Sequence, residues 1–218
     1  MRRILAVLVA MTGLSPAFAA AQTCRGLAPL PAGQFQATGT GKLASGSESI
    51  GAAVLYDLPA QAFAGAGTGM TSVEAFGKST LDLAATAGYQ IAVTQQVHVC
   101  PLADVALQLG PNDAFESGVD RSTWSTALGF AAGTAFSLRP DLSLVPAISL
   151  KVGRRTHEAE NSAGATLFHI VETYGVAQLH LGLVLDQNVS VRPTVELPLG
   201  LAGGNLSVGL TMGYNFGR

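Results

Sequence analysis

The end of this chain alternates without a break. From Leu206 every second residue is apolar (Leu206, Val208, Leu210, Met212, Tyr214, Phe216), and the residues between them are Ser207, Gly209, Thr211, Gly213 and Asn215. Successive side chains of an extended strand point to opposite faces, so this period of two predicts a β-strand with one apolar face and one small or polar face. A helix would need apolar spacings of three and four, which the segment lacks.

The same period runs upstream. Val189, Val191, Val195, Leu197 and Leu199 alternate with Ser190, Arg192, Thr194 and Glu196; Leu142, Leu144, Ile148, Leu150 and Val152 alternate with Ser143, Ser149 and Lys151. Leu179 to Leu185 face away from Gln178 and His180, Val97 to Leu109 oppose His98, Asp104 and Gln108, and Leu81 to Val93 oppose Asp82, Thr86 and Gln90. Leu128, Phe130 and Phe136 stand against Ser125, Gly129, Gly133 and Ser137. Asp82, Asp104, Lys151, Arg192 and Glu196 all fall on the second face, and the apolar face carries no charge.

Turn residues at Asp57-Leu58-Pro59, Thr94-Gln95-Gln96, Arg139-Pro140-Asp141 and Asp186-Gln187-Asn188 give short connectors, and longer polar ones fall at about 71–80, 110–121 and 154–165. Counting between them predicts strands at about 34–42, 48–57, 60–70, 80–93, 97–109, 122–138, 141–153, 166–185, 188–199 and 205–216. The expected fold is all-β, an up-and-down antiparallel transmembrane β-barrel of about ten strands, with eight strands and a longer plug as the alternative. Pro101, Pro146 and Pro193 fall inside predicted strands, where a missing N–H calls for bulges or short unpaired spots.

A soluble sandwich would turn its polar face to water and fill it with Lys, Glu and Asp. Here that face is mostly Ser, Thr, Gly, Gln and Ala. Only 12% of residues are charged, about half the ~25% usual for soluble domains. Small polar residues suit the interior of a narrow barrel, and the apolar face then meets lipid. Tyr56, Tyr89, Phe136, Tyr214 and Phe216 fall at one end of the outward runs and Trp124 at the other, as in the aromatic girdles of barrels.

Met1-Arg2-Arg3, the apolar run Ile4 to Leu14 and the small residues around Ala17 to Ala21 have the order of a secretory signal. The expected division is a signal peptide at 1–21, an N-terminal periplasmic segment at 22–33 that could act as a plug, and a barrel at 34–218. Without Arg2 and Arg3 the chain has 10 basic and 14 acidic residues, a balance that gives no support for nucleic-acid binding. Ala21-Gln22-Thr23 does not form a lipobox before Cys24. With an oxidising destination and two cysteines, a Cys24–Cys100 disulfide pinning the segment across the barrel mouth is the default, and two free thiols are the alternative.

Leu210, Met212, Tyr214 and Phe216 resemble the C-terminal assembly signal of bacterial outer-membrane barrels, in which alternate apolar residues lead to aromatic ones. The family normally ends on the aromatic, whereas Gly217-Arg218 follow here. In architecture the whole mature chain is similar to the small barrels of the OmpA/OmpX/OmpW type. The resemblance implies a Gram-negative outer-membrane location, insertion by the outer-membrane assembly machinery, and contact with outer-membrane lipid and lipopolysaccharide. It implies no particular ligand.

Motifs for chemistry are sparse. Thr38-Gly39-Thr40-Gly41-Lys42 lacks the first Gly and the final Ser or Thr of a phosphate loop, and Gly39 to Ala44 matches the dinucleotide fingerprint outside any βαβ unit, so no cofactor is expected. Ser47-Glu48-Ser49-Ile50-Gly51 misses the nucleophile elbow. The four histidines have no metal-ligand spacing, so no metal is expected. Because isolated buried charges are costly, Asp82, Asp104, Glu172 and Glu196 are expected to pair with Lys151, Arg192, His98 and His180 in one interior network, which either fills the lumen or lines an ion path. Asn112, Asp113, Glu116 and Asp120 cluster in one expected outer loop, and Arg154, Arg155, His157, Glu158 and Glu160 in another. The function expected is structural, binding or minor-pore, non-enzymatic by default; the alternatives are a soluble periplasmic β protein binding an apolar ligand and a surface hydrolase at the barrel rim.

Overall fold

Ten antiparallel strands follow one another up and down in the structure, a computed structural model that describes residues 23–27, 32–74, 77–94, 96–110, 119–200 and 204–216. The expected signal segment and Asn112, Asp113 and Glu116 lie outside the described residues. The strands are β1 (Phe35–Ala44), β2 (Ser47–Asp57), β3 (Ala62–Val73), β4 (Lys78–Tyr89, continued by Ile91–Ala92), β5 (Val97–Leu109), β6 (Val119–Thr134, continued by Phe136–Arg139), β7 (Leu142–Asn161), β8 (Thr166–Leu185), β9 (Val189–Leu199) and β10 (Ser207–Phe216).

Closure comes from the first and last strands. β1 pairs with β10 from Phe35↔Phe216 to Ala44↔Ser207, and every other strand pairs with its neighbours in sequence. No edge is left to satisfy, which removes the main liability of an all-β chain. Both ends of the barrel chain lie at one rim, called here the near end. The ten-stranded count thus holds over the eight-stranded alternative, and the weakly patterned stretch 60–70 is a full strand paired on both sides.

The alternation resolves as outside and inside. Leu128, Phe130, Ile148, Leu150, Leu179 and Val208 remain largely exposed on the exterior, whereas Ser149, His180, Ser190, Ser207 and Thr211 are buried within. Phe35, Tyr56, Tyr214 and Phe216 gather on the outside of the near end, with ring centroids 4.5 Å apart for Phe35–Tyr56 and 4.7 Å for Tyr214–Phe216.

Pro101, Pro146 and Pro193 each coincide with a gap in one of their two ladders, while the other continues. Pro101 pairs with Phe130 but falls in the break between Gly88↔Leu102 and Ile91↔Val99. Pro146 pairs with Leu181 and faces the interruption at Ala135; Pro193 pairs with Leu210 and falls between His180↔Thr194 and Leu183↔Val191. The register is the same on both sides of each gap. The missing N–H therefore leaves a short unpaired spot without a slip that would turn side chains to the wrong face.

Two expected loops are largely strand. β7 and β8 continue as a paired hairpin to Asn161 and Thr166, so Arg154, Arg155, His157, Glu158 and Glu160 lie on β7, not in a loop. Asp120, expected in a loop, pairs with Glu160. Likewise β3 and β4 extend to Val73 and Lys78. Beyond the apolar belt both faces of a strand meet water, so polar residues can occupy both and the alternation disappears although the pairing continues.

Candidate functional site

The lumen is occupied at its near end. A short 3₁₀ turn, Thr23–Arg25, lies inside the barrel, with Cys24 joined to Cys100 of β5 by a disulfide whose Cα atoms are 6.1 Å apart. Backbone fills the space that inward side chains would otherwise need. A Cβ on Gly133 would collide with the Thr23 carbonyl, and one on Gly182 with the Gly26 carbonyl. Gly26 itself has φ of +65°, a conformation glycine adopts without steric cost.

The socket that receives this segment is apolar. Phe63, Leu102 and Ala131 cluster with Cys24 and Cys100, and Leu27 is fully buried nearby. Phe63 lies across Gly88 and Leu55 across Gly65, so the glycine opposite each provides the room. The sequence reading missed these inward apolar residues, because it took the inner face as uniformly small and polar. Leu102 alone had a signal, since it shares the inward register of His98 and Asp104; Leu55 and Phe63 sit in strands whose alternation is too weak to give them a face.

Above the socket lies a layer of charge. Lys151 Nζ is 2.6 Å from Asp104 Oδ2, and Lys42 Nζ is 2.6 Å from Glu196 Oε1. Gln178 donates to the other Glu196 oxygen at 2.7 Å and accepts from Ser149 Oγ at 3.0 Å. Arg192 donates through Nη1 to the Arg25 carbonyl at 2.5 Å and through Nη2 to Thr211 Oγ1 at 3.2 Å. Among the described residues its Nε has no acceptor, nor does the buried Nη1 of Arg25, whose guanidinium stands 5.7 Å from the Phe63 ring. Burial draws the Arg25 pKa below its ordinary value while Asp104 pulls it back up; an arginine keeps its charge regardless.

The expected charged residues therefore separate into several groups, not one network. Asp104 meets Lys151, but Glu196 is paired with Lys42, a residue of the Thr38–Lys42 segment that is not among the expected partners. Asp82 is held by neutral donors, Thr71 Oγ1 at 2.5 Å, Gln108 Nε2 at 2.9 Å and Thr80 Oγ1 at 3.3 Å. His98 bonds Gln90 and His180 bonds Thr194, each at 3.0 Å, and neither reaches a carboxylate among the described residues. Glu172 stands apart toward the far end, 3.6 Å from His157, which also bonds Thr123 at 3.0 Å. Arg155 stacks over Tyr174 at 4.8 Å in the same upper part. Among the described residues no cluster has the make-up of a metal site.

Cavities of about 180 and 230 Å³ flank this layer, sharing Arg25, Lys151 and Arg192 in their walls. A chamber lined by these charged and hydroxyl side chains can hold water or a small polar solute.

No family model matches the chain, and no curated protein is similar to it in sequence. Solved structures are similar to it to differing degrees. The beta domain of the Bordetella autotransporter BrkA is 11% identical, with a TM-score of 0.54 over 86% of this chain and 100% of that one. The N-terminal β-barrel domain of Pseudomonas aeruginosa OprF is 14% identical over 85% and 98%, with a TM-score of 0.39. Ail, the attachment invasion locus protein of Yersinia pestis, is 15% identical over 84% and 99%, with a TM-score of 0.43. In fold, this chain is a closed, ten-stranded antiparallel β-barrel, the kind of architecture that the BrkA beta domain has.

Proposed function

We propose that this protein resides in the bacterial outer membrane as a barrel closed toward the periplasm by its own N-terminal segment, with a structural or binding role and no free passage of solutes. The observation that carries the reading is the exterior: a closed barrel with large apolar side chains exposed all the way round, a surface that water does not tolerate and lipid does. Placing the near end in the periplasm puts the Cys24–Cys100 bond in an oxidising compartment. It also leaves Leu210, Met212, Tyr214 and Phe216 as the strand offered to the assembly machinery, and the far end facing lipopolysaccharide.

Fractionation and solubility test this together. The mature protein is expected in the outer-membrane fraction, to need detergent once extracted, and to give no steady conductance in a planar bilayer with the disulfide intact. Recovery as a monodisperse folded protein in plain buffer would instead favour a soluble periplasmic role.

One observation favours a second reading, a hydrolase at the rim: Thr123, His157 and Glu172 form a hydroxyl–imidazole–carboxylate chain in the upper lumen. An ester or lipid A substrate turned over by the purified barrel, with activity lost in His157→Ala, would support it; no turnover above a heat-denatured control would end it.

A further inference from the structure

The chamber is unbalanced in charge. Arg25, Lys42, Lys151 and Arg192 line the lumen cavities with only Asp104 and Glu196 against them. Widening the count to Arg155 and Asp82 adds one charge of each sign and leaves the same excess. The two carboxylates are already taken by the two lysines at 2.6 Å. The arginines are less well met: among the described residues neither forms an ion pair, and no acceptor there meets Arg25 Nη1 or Arg192 Nε, although Asp104 attracts Arg25 from beyond ion-pair distance. Arginines enclosed in protein are ordinarily met by carboxylates or phosphates, because leaving them bare is costly.

We propose that the lumen holds a small oxyanion, of the phosphate or carboxylate class, between Arg25 and Arg192. The 180 Å³ cavity has room for such an ion with several waters, a water's share of the liquid being about 30 Å³. Thr211 and Thr194 add hydroxyls to the same wall. Arg25 is not part of the barrel wall at all. The N-terminal segment carries it into the chamber, and both the disulfide and the bond from Arg192 to its carbonyl fix it there. The segment that closes the barrel thus also completes the site. This deepens the proposed binding role and rests on the lumen being closed below.

The test is calorimetric titration of inorganic phosphate into the detergent-solubilised mature protein at low ionic strength, with the disulfide intact. One saturable site is expected, weakened by added sodium chloride. Arg25→Gln should weaken binding about ten-fold or more, with Arg25→Lys restoring part of the loss. Glu196→Gln should tighten it, because it removes an opposing charge and frees Lys42, a gain that a merely structural role would not produce. Arg139→Gln, on an exposed near-end turn, should change nothing. Absence of saturable binding by folded wild-type protein overturns the proposal, as does binding indifferent to both Arg25→Gln and Glu196→Gln. Should Arg25→Gln not fold, the direction of the Glu196→Gln effect decides alone. Fractionation and the need for detergent involve no phosphate, so the barrel reading can stand or fall separately.

Discussion

The carbonyl oxygen of Gly26 occupies the place where a side chain on Gly182 would begin. The contact is backbone to backbone, so neither partner can swing aside. Gly182→Val should therefore expel the N-terminal segment or strain it, at about 1 to 3 kcal/mol as for other overpacked sites. Trypsin reports the difference: the bond after Arg25 should be protected in the wild type and cut rapidly in the variant, and equal protection in both would show that the segment is not held there.

Cys24 and Cys100 are 76 residues apart in sequence, and closing so long a loop contributes about 4 to 5 kcal/mol in the chain-entropy model. The double variant Cys24→Ser, Cys100→Ser should lose stability by up to that amount in denaturant titrations. It should also show intermittent conductance in planar bilayers where the oxidised wild type is silent. A variant as quiet as the wild type would mean that the socket of Phe63, Leu55 and Leu102 holds the segment without the covalent bond.

Ile148 sits midway along the outward apolar run of β7, and Leu138 lies beside the near-end turn; both are more than half exposed, at 57% and 55%. In lipid a cation costs about 2 to 4 kcal/mol at the midplane and about 0 to 1 near the interface. Ile148→Arg should thus destabilise refolding into vesicles far more than Leu138→Arg. Equal costs would argue against a bilayer around the belt.

Lys42 and Glu196 connect β1 to β9 across β10, and Gln178 on β8 completes the set. Lys42→Met should cost about 2 kcal/mol by leaving a carboxylate short of its charged donor. Adding Glu196→Leu should recover most of it. A double-mutant cycle in denaturant measures the coupling, and purely additive losses would show that the two residues act independently.

Strict alternation made the barrel legible, because a closed wall with an apolar outside and a polar inside imposes it on every strand. β5, β9 and β10 could be placed within a residue or two, and His98, Asp104, Lys151, His180, Arg192 and Glu196 could all be put on the inner face. Pairing inside was less legible. Which inward residues meet depends on shear and register across non-adjacent strands, and the pattern within any one strand does not contain this. Lys42 shares its face with Gln36, Thr38 and Thr40, but β1 is too rich in glycine for its alternation to stand out. The socket was invisible for another reason: Phe63 and Leu55 are inside only because a piece of chain some 30 to 40 residues earlier comes in to cover them.

β7 and β8 are 20 residues each, about twice the roughly 9 to 11 that cross a bilayer. On the proposed orientation, with the near end in the periplasm, the surplus stands clear of the headgroups as a sheet continuous with the wall, β7 being paired with β8 on one side and with β6 as far as Val119↔Asn161 on the other, and it bears Arg154, Glu158 and His169 on its outer side. A sheet paired on both sides of its central strand keeps its shape where a loop would not. Whatever approaches the far end would therefore meet a stiff, fixed surface before it met the rest of the molecule.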